Sequence, residues 1–285
     1  MVMNEREARQ MKKCLCFLMF GLLLLAVPTF SASASVYEDE YEPNNSAASA
    51  HDIGLWKYKT ISATIHSPED QDFYKFYATK GEQLAIHLKN IPAGTDYDLA
   101  LFKDTYGYPE IDASERTGTQ NEIIRFDVPE TGKYIAAVKS KNGTYDGWGF
   151  YRLEFIDRMK SGTYTARLSP AAISSPGKGA VSPTAVVNLA NVSAIPDGAV
   201  VKSVSAEGTI SPSLGNTFRE VMNKEEGIWH TTVSGGTLFP DIKLENGLPV
   251  KTTWNARYYS LAWSSSTWRS PELKINYQYD QTYGW

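Results

Sequence analysis

Glu40, Glu42, Asn44 and Asn45 place four oxygen-bearing side chains within six residues, and Glu69, Asp70 and Asp72 follow some two dozen residues later. In an extended chain, side chains two apart project to one side, so Glu40, Glu42 and Asn44 share a face, with Pro43 stiffening the segment. If this lead-in folds back on the entrance to the strand Phe73–Ala78, its oxygens meet those of the second cluster. Ca²⁺ takes about six to eight oxygens at roughly 2.3–2.6 Å and tolerates irregular geometry, whereas Mg²⁺ demands a tighter octahedron and keeps more water. No histidine or thiol stands at metal-ligand spacing to favour zinc. The competing reading is a solvated acidic stretch that keeps the chain soluble.

Catalytic patterns are missing from the sequence. His51, His66, His87 and His230 are not paired at ligand spacing, and there is no His-Glu-x-x-His or Gly-x-Ser-x-Gly. Ser234-Gly235-Gly236 lacks an evident base, and nothing singles out Asp241, Glu245 or Glu272 as members of a carboxylate pair. His87 falls on the outward face of a predicted strand and reads as solvated. The expectation is a non-catalytic protein. Binding chemistry is better represented. Tyr145 and Trp148 lie in a loop, and Trp263-Ser264-Ser265-Ser266-Thr267-Trp268 reads as a hairpin loop bearing exposed rings. The other reading of these aromatics is core and rim packing, and the alternation around Trp254 suits a buried face.

The elements that must position these residues are strands. A basic stretch, an apolar run over Cys14–Val27 and the small residues Ser31-Ala32-Ser33-Ala34 predict a signal peptide over 1–34, leaving 251 of the 285 residues. Cys14 and Cys16, the only cysteines, leave with it, so no disulfide is expected. The leader carries four basic and two acidic residues, so its removal takes the net charge from −4 to −6. That balance gives no footprint for nucleic acid or an anionic membrane. Beyond the leader, apolar residues recur at period two between Gly, Pro and Asn turn signals. One Pro/Gly/Ser-rich stretch interrupts them. The predicted class is all-β, with two jelly-roll-like β-sandwiches. The first spans 35–168, a linker covers 169–198, and an aromatic-rich second sandwich spans 199–285.

Several short strings recur in a characteristic order: Glu42-Pro43-Asn44-Asn45, Ile61–Ile65, Asp70-Gln71-Asp72-Phe73-Tyr74-Lys75-Phe76, Lys80–Leu84, Asp98–Phe102, Thr131-Gly132-Lys133-Tyr134 and Phe150–Glu154. Together they resemble the bacterial pre-peptidase C-terminal domain over about residues 38–157. The resemblance implies a small β-sandwich of exported proteins, often appended to secreted proteases and related to the collagen-binding domains of clostridial collagenases. It also implies a structural Ca²⁺ site at Glu40, Glu42, Asn44, Asn45 and Asp72, with Glu69 or Asp70 as partner. Asn45 stands where an aspartate is common. The collagen-binding members use exposed aromatics on the strand after the Gly-x-Tyr turn, and here that strand carries one, Tyr134.

These readings converge on a secreted monomer, extracellular or wall-associated, in which a calcium-stabilised domain accompanies a second domain contacting an extracellular polymer, glycan or protein. The expected ligand-binding residues are Tyr145, Trp148, Trp263 and Trp268. The alternative is an accessory or anchoring protein for a co-secreted protease or other enzyme, and a small all-β hydrolase is the third possibility.

Overall fold

Period-two alternation gives a strand one dry face and leaves a helix with none, so this sequence buries itself as stacked sheets. The structure, a computed structural model, describes residues 39–285 apart from Leu214. Within them no helix reaches seven residues, and none is long and apolar enough to cross a membrane. The expected leader over 1–34, with both cysteines, lies outside the described residues.

The first core lies between two sheets. One runs in the order β1 (His51–Leu55), β3 (Gln71–Ala78), β8 (Gly132–Ser140), β5 (Tyr97–Lys103), β6 (Glu110–Ser114). The other runs β2 (Thr60–Ala63), β9 (Tyr151–Asp157), β4 (Gln83–Lys89), β7 (Glu122–Asp127). Only the β1–β3 pair is parallel within these two sheets. The inward positions of the alternation, among them Tyr74, Phe76, Leu84, Ile86, Leu99, Tyr134 and Tyr151, are fully buried between them. The short turn expected near Ser46–His51 is a single 3₁₀ turn over Ala47–Ser49, capped by the Ser46 side chain accepting from Ser49 N.

The second core begins earlier than the sequence implies. β17 (Ser266–Asp280) pairs along one side with β10 (Met159–Arg167) and β11 (Ala172–Ser175), and along the other with β13 (Val200–Ser211). The facing sheet runs β12 (Ala185–Asn188), β16 (Thr253–Ser260), β14 (Thr217–Asn223), β15 (Trp229–Thr231). The expected linker over 169–198 therefore holds two strands, and Ile173, Ala185, Leu189 and Ile195 are buried core. β10, assigned by the sequence to the first domain, pairs over nine residues with β17. The physical reason is that proline is tolerated at strand ends and sheet edges. Pro170 and Pro176 flank β11, and Pro183 precedes β12 at the edge of its sheet. A Pro-rich stretch can thus be edge strands instead of tether.

Candidate metal centre

The lead-in is tied to the first sandwich by its own polar groups. Asp39 Oδ1 accepts from Tyr41 N at 3.0 Å, which turns the chain, and Asp39 Oδ2 accepts from Thr64 N at 2.9 Å just past β2. Asn44 O accepts from Phe73 N at 3.1 Å, and Asn45 Oδ1 from Gln71 N at 3.3 Å, both on β3. Tyr41 packs edge-on against Tyr74. The segment is thereby held across the start of β3, where Asp70 and Asp72 enter the fold.

This docking brings together four of the seven expected metal residues: Glu42, Asn44, Asp70 and Asp72. Asn44, Asp70 and Asp72 are buried, and Glu42 is half-buried. Glu40 and Glu69 are exposed. Glu40 sits on the turn that Asp39 closes, so the extended-chain alternation fails there and Asp39 points inward in its place. Glu69 lies on the turn whose Ser67 carbonyl accepts from Asp70 N. Exposed Asn45 donates to Glu42 Oε2 at 3.2 Å and so orients a neighbour.

The expectation that no histidine belongs to this cluster is corrected. His66 Nδ1 lies 2.7 Å from Asp70 Oδ2 and 3.4 Å from Glu42 Oε1, and neither contact has hydrogen-bond geometry. One ligand atom from each of Glu42, His66 and Asp70 lies within 4.8 Å of the others. Thr64 and Asp39 were also missed. His66 and Asp70 stand at i and i+4, a spacing without meaning in a strand, and a turn between them creates the contact.

The chemistry left unfinished here is that of an oxygen cage. Glu42 Oε1, Asn44 Oδ1, Thr64 Oγ1, Asp70 Oδ1 and Asp72 Oδ1 are buried and make no hydrogen bond. Buried polar atoms ordinarily find partners, because an unsatisfied group costs about 1–3 kcal/mol and a charged one more. Burial pushes Asp72 up to about 8, against the Tyr151 hydroxyl that donates to it, and Asp70, Asp39 and Glu42 add repulsion. Burial likewise raises Asp70 and Glu42. Carboxylates crowded in this way cannot all ionise without a compensating cation. The residues fit a hard cation with a predominantly oxygen shell, and Ca²⁺ matches that donor set better than zinc.

The expected ligand-binding aromatics separate into two groups. Tyr145 and Trp148 are exposed on the loop between β8 and β9, where Asp146 Oδ1 accepts from Trp148 N and Gly149 N at 2.9 and 3.0 Å. That loop abuts the metal cluster: a Cβ on Gly147 would lie 3.7 Å from His66 Cα. Trp263 is 83 % exposed, with the Lys178 ammonium 4.7 Å from its ring. Trp268 is not a surface ring. It is fully buried in the second core, donates through Nε1 to Glu207 O at 2.9 Å, and packs edge-on against Tyr258. β17 begins at Ser266, so Trp268 lies inside a strand and only Leu261–Ser265 form the loop.

The Trp263 loop rests on Gly177, which has φ +90° and whose Cβ would come within 2.5 Å of Ala262 O and 2.7 Å of Ser264 O. Gly177→Ala therefore introduces both a left-handed strain and a backbone clash, each costing about 1–3 kcal/mol. Denaturant unfolding of that variant should show the loss, and a midpoint equal to wild type would mean the loop can move away at no cost.

The bacterial pre-peptidase C-terminal domain model matches residues 70–140. The uncharacterized protein YbdN of Bacillus subtilis is 32 % identical over 286 residues, covering 92 % of this chain and 96 % of YbdN. A probable subtilase-type serine protease of Deinococcus radiodurans is 27 % identical over 106 residues, 36 % of this chain but only 14 % of the protease. Among solved structures, the pre-peptidase C-terminal domain of collagenase from Bacillus anthracis is similar at 20 % identity and a TM-score of 0.32, covering 38 % of this chain and 94 % of that domain.

Proposed function

The chain belongs to the family of Bacillus subtilis YbdN and carries a pre-peptidase C-terminal domain, and from that premise we propose that it is an exported, non-catalytic binding protein whose first sandwich is closed by Ca²⁺. The observation that carries this reading is the set of five buried oxygens without a hydrogen bond where the lead-in docks on the sandwich. An ion there would bind only the folded chain and so stabilise it. The residues positioned for it are Glu42, Asn44, Asp70 and Asp72, with Thr64 beside them, while Asp39 pins the lead-in in place. The signal-like leader supports export.

The binding role rests on exposed rings. Trp148 rises from a loop that touches the metal cluster, and Trp263 stands on the second sandwich beside a cation. Aromatic faces of this kind suit stacking on sugar rings or on peptide. The test is co-sedimentation of the purified chain with peptidoglycan, chitin, cellulose and collagen, in calcium and in EDTA. Retention on one polymer is expected, and it should fall several-fold in Trp148→Ala or Trp263→Ala while the fold is kept. Lack of retention on all four would count against a polymer ligand.

A second reading is supported by the match to a segment of a subtilase-type protease. The chain would then accompany an exported enzyme through protein contacts. Failure to sediment with any polymer, together with co-elution with a co-secreted protease, would favour it.

A further inference from the structure

The outer face of the β2-β9-β4-β7 sheet carries a cleft of about 350 Å³ lined by His87, Arg116, Asn121, Ile123 and Trp285. None of the metal residues and none of the expected ligand-binding aromatics lines it. The sequence reading of His87 as a solvated side chain is corrected here: it is 9 % exposed, on the face of β4 opposite the core, with Ile123 and Glu154 as its cross-strand neighbours.

The C-terminal turn covers this face. Arg125, on β7, donates to Thr282 Oγ1 and Thr282 O at 3.0 and 2.6 Å. Gln281 donates to Asp157 O at 2.6 Å. The turn sets the Trp285 ring 5.0 Å from the His87 ring, tilted at 40°, and leaves Trp285 47 % exposed as one wall. The opposite wall is the loop after β6. There the buried Glu122 accepts from Arg116 N at 2.8 Å and from Ser114 Oγ. The wall is thus fixed by a buried carboxylate.

Three groups in this cleft have bonding capacity to spare. His87 Nδ1 is buried and has no hydrogen-bond partner. Arg116 is in no ion pair among the described residues, and its one side-chain hydrogen bond is a long one, Nη1 to Asn121 O at 3.3 Å. The Asn121 side chain is exposed beside it. Lys89, Arg116 and Glu154 all lie close enough to act on His87, and Glu154 is already paired with Lys89 and Arg152. The Arg116 guanidinium is therefore the charge at this cleft left to receive an anion.

We propose that this cleft binds a carboxylate-bearing sugar ring of an acidic glycan. The ring face lies on Trp285, the carboxylate pairs with the Arg116 fork, and ring hydroxyls meet Asn121 and His87 Nδ1. A planar guanidinium matches a carboxylate through two parallel hydrogen bonds, and an indole offers the flat apolar face that a sugar ring needs. The volume is at the lower end of the ligand range of about 300–1,000 Å³, which suits one or two sugar rings and not a folded partner. A peptide C-terminus would satisfy Arg116 but leave the amide and imidazole without the hydroxyl partners a sugar supplies.

This assignment rests on the reading of the chain as a binding protein, and its test separates the two. Isothermal titration of the purified chain would use oligogalacturonate, oligomannuronate, a neutral galactose oligosaccharide and a short peptide with a free C-terminal carboxylate. At least one uronate should bind, at least ten-fold tighter than the neutral sugar and the peptide. Arg116→Gln and Trp285→Ala should each weaken it about ten-fold, and His87→Gln by less. No uronate binding at millimolar concentration overturns the assignment, as does equal binding of the neutral sugar, preference for the peptide, or unchanged affinity in Arg116→Gln and Trp285→Ala. A chain that ignores both uronates yet still sediments with a polymer overturns the acidic-sugar site alone and leaves the broader reading standing.

Discussion

Removing calcium from the purified chain should lower its melting temperature, and the gap between calcium and EDTA should widen as the pH rises from 5 to 8. The sign follows from the carboxylates. Asp72 is raised to about 8 in the fold, and Asp70 and Glu42 are raised with it, burial being the first cause for each. A group with a raised folded pKa gives stability that is full below its unfolded value, near 4, and is lost as the pH climbs through the folded value. The metal-free fold therefore weakens between about pH 4 and 8. A calcium ion at this site would act oppositely, because it would bind the ionised groups and displace protons, so its affinity should grow over the same window. At a hundred-fold excess over its dissociation constant an ion adds about 2.7 kcal/mol. At roughly 2–4 °C per kcal/mol for a chain of this size, that amounts to about 5–11 °C.

Asp72→Asn makes this prediction specific. The amide oxygen still accepts from the Tyr151 hydroxyl, but the buried charge is gone. In EDTA at pH 8 the variant should melt at or above wild type, and calcium should no longer raise it. His230 is the necessary control for the pH slope. Burial opposes its charge, but hydrogen bonds with Glu226 and Asp241 outweigh that and raise its pKa, so it too loses stability as pH rises. Its contribution survives in Asp72→Asn, and what disappears in the variant belongs to the metal cluster. Equal melting of wild type in calcium and EDTA at pH 8, or a full calcium shift in Asp72→Asn, would remove the ion from this site.

Alternation made much of this cage legible. Asp70 and Asp72 enter the fold two residues apart, one before β3 and one on it, and Glu69 falls between turn and solvent as parity demands. Parity failed in the lead-in, where Asp39 bonds to Tyr41 N and bends the chain, turning Asp39 inward and Glu40 outward. An Asx turn of this kind is local chemistry that a strand template does not contain. His66 and Thr64 were hidden for another reason. They approach Glu42 and Asp39 only because distant segments dock, and no spacing rule encodes that. The same limit explains β11 and β12, whose prolines spell a linker until edge positions exist to receive them. The cleft at His87 was the least accessible of all, since the residue that walls it lies nearly two hundred positions along the chain.

Trp268→Ala should destabilise the chain by about 3–5 kcal/mol, the usual cost of emptying a buried aromatic site, whereas Trp263→Ala should stay within about 0.5 kcal/mol of wild type. The two rings are five residues apart and a polar loop signature covers both, yet β17 begins between them. Ser266 and Trp268 are the inward positions of its first turn of alternation, and the Ser266 carbonyl accepts from the Tyr258 hydroxyl beneath the indole. Losing Trp268 leaves Glu207 O without its donor and strips the ring from beside Arg219. Arg219 is itself buried and held by the carbonyls of Gly236 and Gly208. Trp268→Phe refills part of the volume but not the hydrogen bond, so it should fall between the two alanine variants. Denaturant unfolding with matched slopes measures all three, and equal midpoints for Trp268→Ala and Trp263→Ala would place Trp268 outside the core. The comparison also decides how polymer retention is to be interpreted. A loss in Trp268→Ala that follows the unfolded fraction reports on the core, and a loss in Trp263→Ala at unchanged stability reports on recognition.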